Sequence, residues 1–467
     1  MKLRKKIHEG RFATVLLAAL AVATLIPVTA VQAKATAEQI AQLNGPKYTC
    51  MGAERAGGDG VAAFTGKYVG TWPGLTGDKQ GYKPGPYASE QPTVTITAQN
   101  MAQHADKLTP GQQAMLKKYP QSFQMNVYPS HRDFGFPAWV CDVTKKNAAT
   151  SEVVDDGKGA TGVSGSIPFP FPQNGLEAVW NVINPYRAWT EQAIYDIADV
   201  YAGGKTSWGR VKFMTLNPGN NPDPAKRGSY TDKINAYFYQ GYLLPARQSG
   251  FVAVGYQPNN FSKDATRSWQ YLPGLRRVRE APKVGFDYPV PPAGLRVVSD
   301  DYGFNGSPER FTWKLVGKKT MYVPYDNFKI NDPSIKYDDL VKPDTINPKY
   351  VRYEPHRVWV IEGDLKPGVR DVYSKRMLYV DEDSWLVLWA DNYDGRGNLW
   401  RTTFVNYFYS PASQAFERGV SVFTDLTANS YEADYLVNER GEKGWWKINL
   451  PMQPAQFSPQ AAASGGH

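Results

Sequence analysis

The 467-residue sequence predicts an α+β fold built on one large antiparallel sheet. Hairpin signals recur from about residue 208 to residue 409, where short aromatic and β-branched runs are separated by turn residues. Tyr, Trp and Phe make up 13% of the chain, a share that suits twisted antiparallel sheets and apolar binding surfaces. The strands do not alternate with long helices, which disfavours a doubly wound parallel sheet.

The clearest hairpin turns at Pro273 and Gly274. Proline presets the dihedral of the second turn position and glycine supplies a positive φ at the third, so the pair favours a type II turn. Two registers stay open, because a two-residue loop would place Trp269 opposite Val278 and a four-residue loop would place Tyr271 there. In both registers Trp269 and Tyr271 share one face of their strand.

Further hairpins are predicted over residues 233–256, 357–381 and 385–409. The strand at 385–393 is apolar on both faces. Simple alternation puts Trp385, Val387 and Trp389 on one face and Leu386, Leu388 and Ala390 on the other. Such a strand must be covered on both sides.

Residues 34–174 are rich in Gly, Pro and polar turns and predict a wrapping region with short helices and loops. One of these helices should begin after Thr109, which is an N-cap residue followed by proline. The main sheet domain is expected over residues 175–453. It should open with a helix whose apolar face includes Val179 and Trp180, and this helix is a candidate to fill the concave side of the sheet. Residues 454–467 are expected to form a disordered tail.

The first 33 residues match a secretory signal peptide, with a basic start, an apolar run at 12–26 and small residues before a cleavage site after Ala33. The run is short for a membrane span of ~20 residues, although an uncleaved anchor stays the alternative. Removing five basic residues and one acidic residue reduces the formal charge from +9 to +5. The mature chain is therefore only mildly basic, which gives no indication of nucleic-acid binding. The predicted location is the periplasm.

Cys50 and Cys141 are the only two cysteines. In an oxidising compartment an even pair most simply forms one disulfide. Two buried free thiols are the alternative.

Three segments carry a distant family resemblance: WQYLPGLRRVR at 269–279, MLYVDEDSWLVL at 377–388 and YDGRGNLWR at 393–401. They resemble the lipoprotein-sorting superfamily of periplasmic carriers, the relatives of LolA and LolB. A closer resemblance spans most of the mature chain, through GAERAG at 52–57, NVYPSHR at 126–132 and FNGSPERFTWKLVGKK at 304–319. Through these motifs the chain is similar to an uncharacterised proteobacterial family of outer-membrane lipoprotein-sorting-like proteins.

The distant resemblance implies a curved, incompletely closed β-barrel whose concave face, lidded by helices, holds acyl chains. The large N-terminal addition departs from that pattern, so the cavity could instead be filled by the chain's own residues. The close resemblance implies a periplasmic carrier of a hydrophobic or lipid-like molecule that acts with an inner-membrane exporter and an outer-membrane protein. The alternatives are a docking partner of an envelope transport assembly without a ligand, and a carbohydrate-active enzyme.

Two sets of side chains are candidates to contact such a ligand. The predicted lining residues are Trp269, Tyr271, Leu272, Trp313, Trp359, Trp389 and Trp400, although ordinary cores use the same residue types. The predicted head-group contacts are Arg276, Arg277 and Arg279, for which edge-strand charges that prevent aggregation are the alternative.

Catalysis has no comparable support, and no catalytic residue, metal or cofactor is predicted. The histidines show no ligand spacing with one another or with a cysteine, and His131 is expected to have a structural, hydrogen-bonded role. The acidic runs at 300–301 and 381–383 offer the paired carboxylates that a glycosidase needs, but solvated caps beside turns are the favoured interpretation.

Overall fold

A computed structural model describes residues 35–69, 85–227, 233–281, 286–411, 413–441 and 446–466. The predicted signal peptide and its cleavage site after Ala33 lie outside these residues. Lys34–His467 form one compact unit. Among the described residues, no helix has the length and apolar character needed to cross a membrane.

The chain contains seven α-helices and eighteen strands within the described residues. The helices are α1 (Ala37–Ala41), α2 (Pro110–Lys118), α3 (Ala138–Thr150), α4 (Gly175–Ile183), α5 (Pro224–Arg227), α6 (Tyr337–Leu340) and α7 (Pro459–Gly465). The strands are β1 (Val94–Ile96), β2 (Met125–Val127), β3 (Glu152–Val154), β4 (Gly159–Thr161), β5 (Thr190–Val200), β6 (Thr206–Leu216), β7 (Ile234–Leu244), β8 (Val252–Pro258), β9 (Arg267–Leu272), β10 (Arg277–Glu280), β11 (Phe311–Pro324), β12 (Tyr353–Leu365), β13 (Lys375–Asp381), β14 (Val387–Tyr393), β15 (Leu399–Ser410), β16 (Ala415–Asp425), β17 (Ser430–Leu436) and β18 (Lys447–Ile448).

Sixteen of these strands form one sheet, which confirms the predicted large antiparallel sheet. Strands β5 to β10 follow one another as a meander, and β11 to β17 form a second meander. Antiparallel pairing of β17 with β5 joins the two. Strands β10 and β11 are consecutive in the chain but do not pair within the described residues, so the sheet is not closed there.

The β9–β10 hairpin adopts the second of the two registers left open by its sequence. Tyr271 lies opposite Val278, and residues 273–276 form a four-residue loop. The turn itself differs from the expected type II form, because the positive φ of the loop belongs to Arg276 (49°) and not to Gly274. In four-residue loops the extra residues reverse the chain, so the proline-glycine pair need not do so alone.

Strand β14 is buried on both faces, as predicted, but its residues do not alternate simply. Val380 pairs with Val387 while the adjacent Tyr379 pairs with Trp389, so one extra residue lies in β14 as a bulge. The bulge puts Val387 and Trp389 in different hydrophobic clusters. The expectation that these two side chains share a face is therefore wrong, because an inserted residue reverses the alternation beyond it.

The N-terminal region covers this part of the sheet from two directions. Helix α2 begins at the predicted cap, where Thr109 and Gln112 form a capping box. The backbone N–H of Gly111 donates to Asp391 Oδ2 at 2.9 Å. A Cβ at this glycine would lie 2.0 Å from the other oxygen of the same carboxylate, so the close approach requires glycine. Helix α3 carries Cys141 into a different cluster and forms the predicted disulfide with Cys50.

Helix α4 forms where the apolar spacing predicted it and begins at the cap residue Asn174. Its buried residues Val179 and Val182 pack with Ile361 of β12 and Leu378 of β13. The residues that follow α4 continue into β5, which pairs with the end of the second meander. This helix therefore fills one face of the sheet, as expected.

The C-terminal segment differs from expectation. Residues 454–466 form a short 3-10 helix (Pro454–Phe457) and α7 where a disordered tail was predicted. Phe457 and Ala462 are buried in a cluster with Tyr239 of β7 and Tyr271 of β9. The segment has few apolar residues, so its sequence carries only a weak signal, but burial of those few is enough to pack it on the sheet.

Candidate functional site

A cavity of about 790 Å³ lies beside β5 to β9 and is large enough to bind a ligand. One face of these strands lines it, and we call this the cavity face. Its members pair directly across the sheet: Thr215 with Phe238, Phe213 with Gln240, and Ala253 with Gln270. Ligand pockets typically measure ~300–1,000 Å³, so the volume would accommodate a lipid-sized or drug-sized molecule.

Two further segments supply much of the remaining wall. The first is the end of α4 with the residues leading into β5, including Val182, Ile183 and Ala188. The second is residues 286–306, which connect the two meanders and contribute Phe286, Val290 and Phe304, among others. The cavity therefore lies between the sheet and the long connections that follow and precede its strands.

One part of the cavity is open to solvent. Leu275, in the β9–β10 loop, is 49% exposed, and Tyr288 is 56% exposed, yet both line the cavity. Large exposed apolar side chains beside a cavity are typical of an entrance for an apolar ligand. Pro273 and Gly274 also line the cavity, so the hairpin loop forms part of its mouth.

The buried end of the cavity carries a group of charged side chains, which we call the charged cluster. Its members are the cavity-lining residues Arg187, Glu191, Arg296, Asp301, Glu417 and Arg418, together with Glu432 and Asp434, which pair with them. Arg296 Nε lies 2.5 Å from Glu432 Oε1, and Arg296 Nη2 lies 3.0 Å from Asp434 Oδ2. Arg418 pairs with Asp301 and with Asp434, the latter at 3.2 Å.

Two carboxyl groups of this cluster are held partly protonated near neutral pH. Burial raises the pKa of Glu191 to about 7, and Arg418, Arg187 and Trp446 only partly oppose that increase. Burial also raises the pKa of Glu417 to about 8, and the charge of Glu191 adds to the effect. The surroundings therefore supply too little positive charge to keep both groups ionised.

These raised pKa values predict that the protein loses stability between pH 6.5 and pH 8.5. An unfolded glutamate has a pKa of about 4.3, so across this interval the folded state binds more protons than the unfolded state. The free energy of unfolding therefore falls as the pH rises and these protons dissociate. His356, whose pKa is lowered by burial, has the opposite effect, but only below its unfolded value of about 6.5. We expect urea unfolding to give a free energy that decreases from pH 6.5 and levels off towards pH 8.5, where both glutamates are ionised in the folded state as well.

The matched control for the pH prediction is Glu417→Gln, which removes the titrating group. The glutamine keeps an oxygen to accept the hydrogen bond that the Ser413 hydroxyl donates to Glu417 at 2.6 Å. The variant should show a shallower decrease of unfolding free energy with pH. A wild-type free energy that is constant or increases from pH 6.5 to pH 8.5 would contradict the assignment.

Of the predicted lining residues, Leu272 lies in the cavity wall. Trp269 and Tyr271 lie on the opposite face of β9, where Tyr271 packs beneath Phe457 and Ala462. The hairpin register places Gln270 and Leu272 on the cavity face instead.

The other four predicted lining residues also lie outside the cavity. Trp313 donates from its indole N–H to the carbonyl of Pro308 and packs in the core against α4. Trp359 stacks on Trp385 with ring centroids 5.8 Å apart. Trp389 and Trp400 donate to the carboxylates of Asp391 and Asp425, both at 2.9 Å. These aromatics therefore pack and hydrogen-bond within the folded chain and do not line the cavity.

The three predicted head-group arginines are exposed and do not line the cavity. Arg277 pairs with Leu272 and Arg279 pairs with Gln270, so β10 extends the cavity face beyond the cavity wall. Arg276 lies in the loop. Their contact with a head group stays a prediction.

The acidic run at 381–383 is buried, which corrects the expectation of solvated caps. Asp381 is 0% exposed and Asp383 is 2% exposed. Arg132 donates to both oxygens of Asp383 at 2.7 Å, while Arg357 and Lys318 pair with Glu382. The run at 300–301 is paired too, since Asp300 binds Arg376 and Asp301 belongs to the charged cluster. The burial is possible because arginines and lysines from other parts of the chain pair with these carboxylates. The residues next to the acidic runs in the sequence do not reveal these partners.

His356, Asp381 and Asp383 offer ligand atoms within 4.8 Å of one another, the spacing of a possible metal site within the described chain. Their atoms are largely engaged elsewhere, however. Asp383 forms the two bonds from Arg132, His356 Nε2 lies 3.2 Å from Glu354, and Asp381 Oδ2 accepts from the Ser384 hydroxyl at 2.5 Å. A guanidinium beside the set disfavours a cation, so we interpret the group as part of an ion-pair network.

His131 has the kind of contacts expected of a structural histidine. Its Nε2 lies 2.8 Å from Glu90 Oε1, and its ring stacks on Tyr87 with centroids 3.5 Å apart.

Sequence reasoning missed the residues of the charged cluster. The only available signal was a set of charged residues inside otherwise apolar strands, such as Glu417 and Arg418 in β16 and Glu432 and Asp434 in β17. In a buried strand such residues must be paired, but the pattern does not identify their partners.

The fold and the cavity define an open antiparallel-sheet protein with an internal cavity whose walls mix apolar and uncharged polar side chains and whose buried end is charged. The chain belongs to the DUF1329 family of proteins of unknown function, whose model matches residues 95–463. It is 38% identical to the uncharacterised protein PA3922 of Pseudomonas aeruginosa, and the match covers 98% of each chain. The close family resemblance predicted from the sequence is confirmed.

Three solved structures show more distant similarity. An outer membrane lipoprotein-sorting protein domain from Vibrio parahaemolyticus is 13% identical, with a TM-score of 0.39 over 59% of this chain and 91% of that one. A DUF1329 family protein from Desulfovibrio piger is 14% identical, with a TM-score of 0.39 over 59% and 92%. A LolA superfamily protein, NE2245, from Nitrosomonas europaea is 10% identical, with a TM-score of 0.36 over 61% and 97%.

Proposed function

We propose that the protein is a periplasmic binding protein that carries a hydrophobic or lipid-like molecule in its cavity. The observation that supports this most directly is the cavity of about 790 Å³, which many apolar side chains line and which is reached past exposed Leu275 and Tyr288. Burial of an apolar ligand there would be favourable by ~25 cal/mol per Å² of apolar surface. The signal-peptide pattern and the disulfide support export to the periplasm.

Carriage also requires release. A ligand bound by non-directional apolar contacts can leave for an acceptor protein that buries at least as much of its surface. We propose that the acceptor or donor is an inner-membrane exporter or an outer-membrane protein, as the family resemblance implies. The open volume favours a carrier over a docking partner without a ligand, because a docking partner has no need of an internal cavity.

The proposal is tested by filling the cavity. Ala253 lies on the cavity face of β8, between Gln240 and Gln270, so Ala253→Trp would project an indole into the volume. The matched control is Ala202→Trp, the same substitution at an exposed position in the β5–β6 turn. Each protein is titrated with the neutral fluorescent probe N-phenyl-1-naphthylamine, after circular dichroism confirms folding.

We expect wild type and Ala202→Trp to bind the probe alike, and Ala253→Trp to bind it roughly tenfold more weakly. That factor corresponds to losing about 60 Å² of apolar contact at ~25 cal/mol per Å². Organic extraction of periplasmic protein followed by mass spectrometry should also recover a lipid from wild type. Well-folded wild-type protein that binds no probe and yields no lipid would exclude a carrier function.

A further inference from the structure

We propose that the charged cluster is a head-group subsite that selects an amphiphile whose polar end donates hydrogen bonds and carries no negative charge, such as a hydroxyl or ammonium group. The inference rests on the proposed carrier function, because it assumes that a ligand enters the cavity. To the carrier proposal it adds the chemical class of the ligand's head group and a position for that group at the buried end of the cavity.

The first argument is the balance of charge. The cluster contains three arginines (Arg187, Arg296 and Arg418) and five carboxyl groups (Glu191, Asp301, Glu417, Glu432 and Asp434). Carboxyl groups outnumber guanidinium groups, so the cluster carries an excess of negative charge once the pH is high enough to ionise its glutamates. An anionic head group would add to this excess in a place that water does not screen, whereas a cationic group would reduce it.

The second argument is that two of the three arginines have no nitrogen left for an anion. Arg296 directs its nitrogens at Glu432, Asp434 and Asp301. Arg418 directs its nitrogens at Ser421, Asp301 and Asp434. The third, Arg187, lies over the ring of Tyr302 with its guanidinium carbon 3.9 Å from the ring centroid. The forks of Arg296 and Arg418, which elsewhere bind a carboxylate or phosphate, are therefore occupied by the protein's own carboxylates, and Arg187, whose Nε has no hydrogen-bond partner among the described residues, is the one arginine of the cluster left for an anion.

The third argument is that a carboxylate oxygen in the cavity wall has no hydrogen-bond donor. Glu191 lines the cavity and is 7% exposed, and its Oε1 has no hydrogen-bond partner among the described residues. The hydroxyl of Tyr407, which also lines the cavity and is 4% exposed, has none either. Buried polar atoms are nearly always paired, and an exception in a cavity indicates a group that a ligand would satisfy.

The raised pKa values of Glu191 and Glu417 agree with these arguments, since both report a surplus of negative charge. The other charged groups that face them are Arg187, Arg418 and Asp301, and the two arginines do not restore the ordinary pKa of either glutamate.

The test compares three ligands with one hydrocarbon chain and different head groups: lauryl alcohol, laurylamine and lauric acid. Each displaces N-phenyl-1-naphthylamine from the full-length mature protein at pH 8.5, below its micellar concentration. We expect the alcohol and the amine to bind at least about tenfold more tightly than the acid. Glu191→Gln should reduce the difference between amine and acid, because it removes a negative charge and keeps a carbonyl acceptor.

Glu280→Gln is the matched control, since Glu280 is exposed on β10 opposite Trp269 and does not line the cavity. It should leave the order of the three ligands unchanged. Equal binding of the three by wild type would overturn the inference and leave the carrier function intact. Tighter binding of the acid would also overturn it, and would point instead to Arg187, whose Nε has no hydrogen-bond partner among the described residues. Failure of every ligand and of the probe to bind would overturn the carrier function and the inference together.

Discussion

Replacing Arg296 with methionine is expected to lower the free energy of unfolding by about 3–5 kcal/mol. The guanidinium is 3% exposed and pairs with Glu432 and Asp434, which are both 0% exposed. The variant would leave these two carboxylates buried without their main counter-charge, and the cost of that desolvation exceeds the value of the ion pairs themselves. Urea unfolding followed by circular dichroism measures the change.

The loss should be smaller at pH 5 than at pH 8. Burial already raises the pKa of Glu432 well above its ordinary value and raises that of Asp434 as well, so protonation can relieve the unpaired charge at the lower pH. Arg279→Met is the control, because Arg279 is exposed on β10 and its loss should change stability by no more than about 0.5 kcal/mol. Equal effects of the two substitutions would show that the buried pairs contribute nothing specific.

Removing the disulfide by the double substitution Cys50→Ala and Cys141→Ala is expected to cost about 4 kcal/mol of unfolding free energy. The two cysteines are separated by 91 residues, so the bond closes a long loop and removes much conformational freedom from the unfolded chain. Both are buried with Val140 and Val179, so alanine avoids placing a new polar group in that cluster. The midpoint and slope of urea unfolding give the change.

Reductant provides the internal control for this prediction. Dithiothreitol should lower the unfolding midpoint of wild type and leave the midpoint of the double variant where it was. A wild-type midpoint that does not change under full reduction, verified by thiol titration, would show that the crosslink does not stabilise the fold.

Local sequence signals predicted the pieces of this fold well. The capping box of Thr109 and Gln112, the start of α4 at Asn174 and the β9–β10 hairpin all depend on residues close together in the chain. Such features follow from dihedral preferences and from hydrogen bonds between residues a few positions apart, so a short stretch of sequence is enough to predict them. The family resemblance then predicted an antiparallel sheet that is not closed, and the structure confirms it.

The candidate site was predicted much less completely, and β9 shows why. Trp269 and Tyr271 are its largest aromatics, but they pack under the C-terminal segment, while Gln270 and Leu272 face the cavity. Side chains alternate with a period of two, so the face chosen depends on which side is covered by another part of the chain. Here that cover is the C-terminal segment at 454–466, about 190 residues further along the chain.

By itself the sequence determined the position of the β9–β10 hairpin, the starts of α2 and α4, the cysteine pair and the family. Only the tertiary structure decided where the cavity lies and what its buried end contains. The charged cluster joins Glu191 of β5, Arg296 of the connection between the meanders and Glu432 of β17. These residues meet because β17 pairs with β5 across more than 200 positions. A charged side chain in an apolar strand can be buried only when another charged group pairs with it. Here folding of the sheet brings these partners together from distant parts of the chain, so the sequence of one strand does not reveal the role of its charged residues.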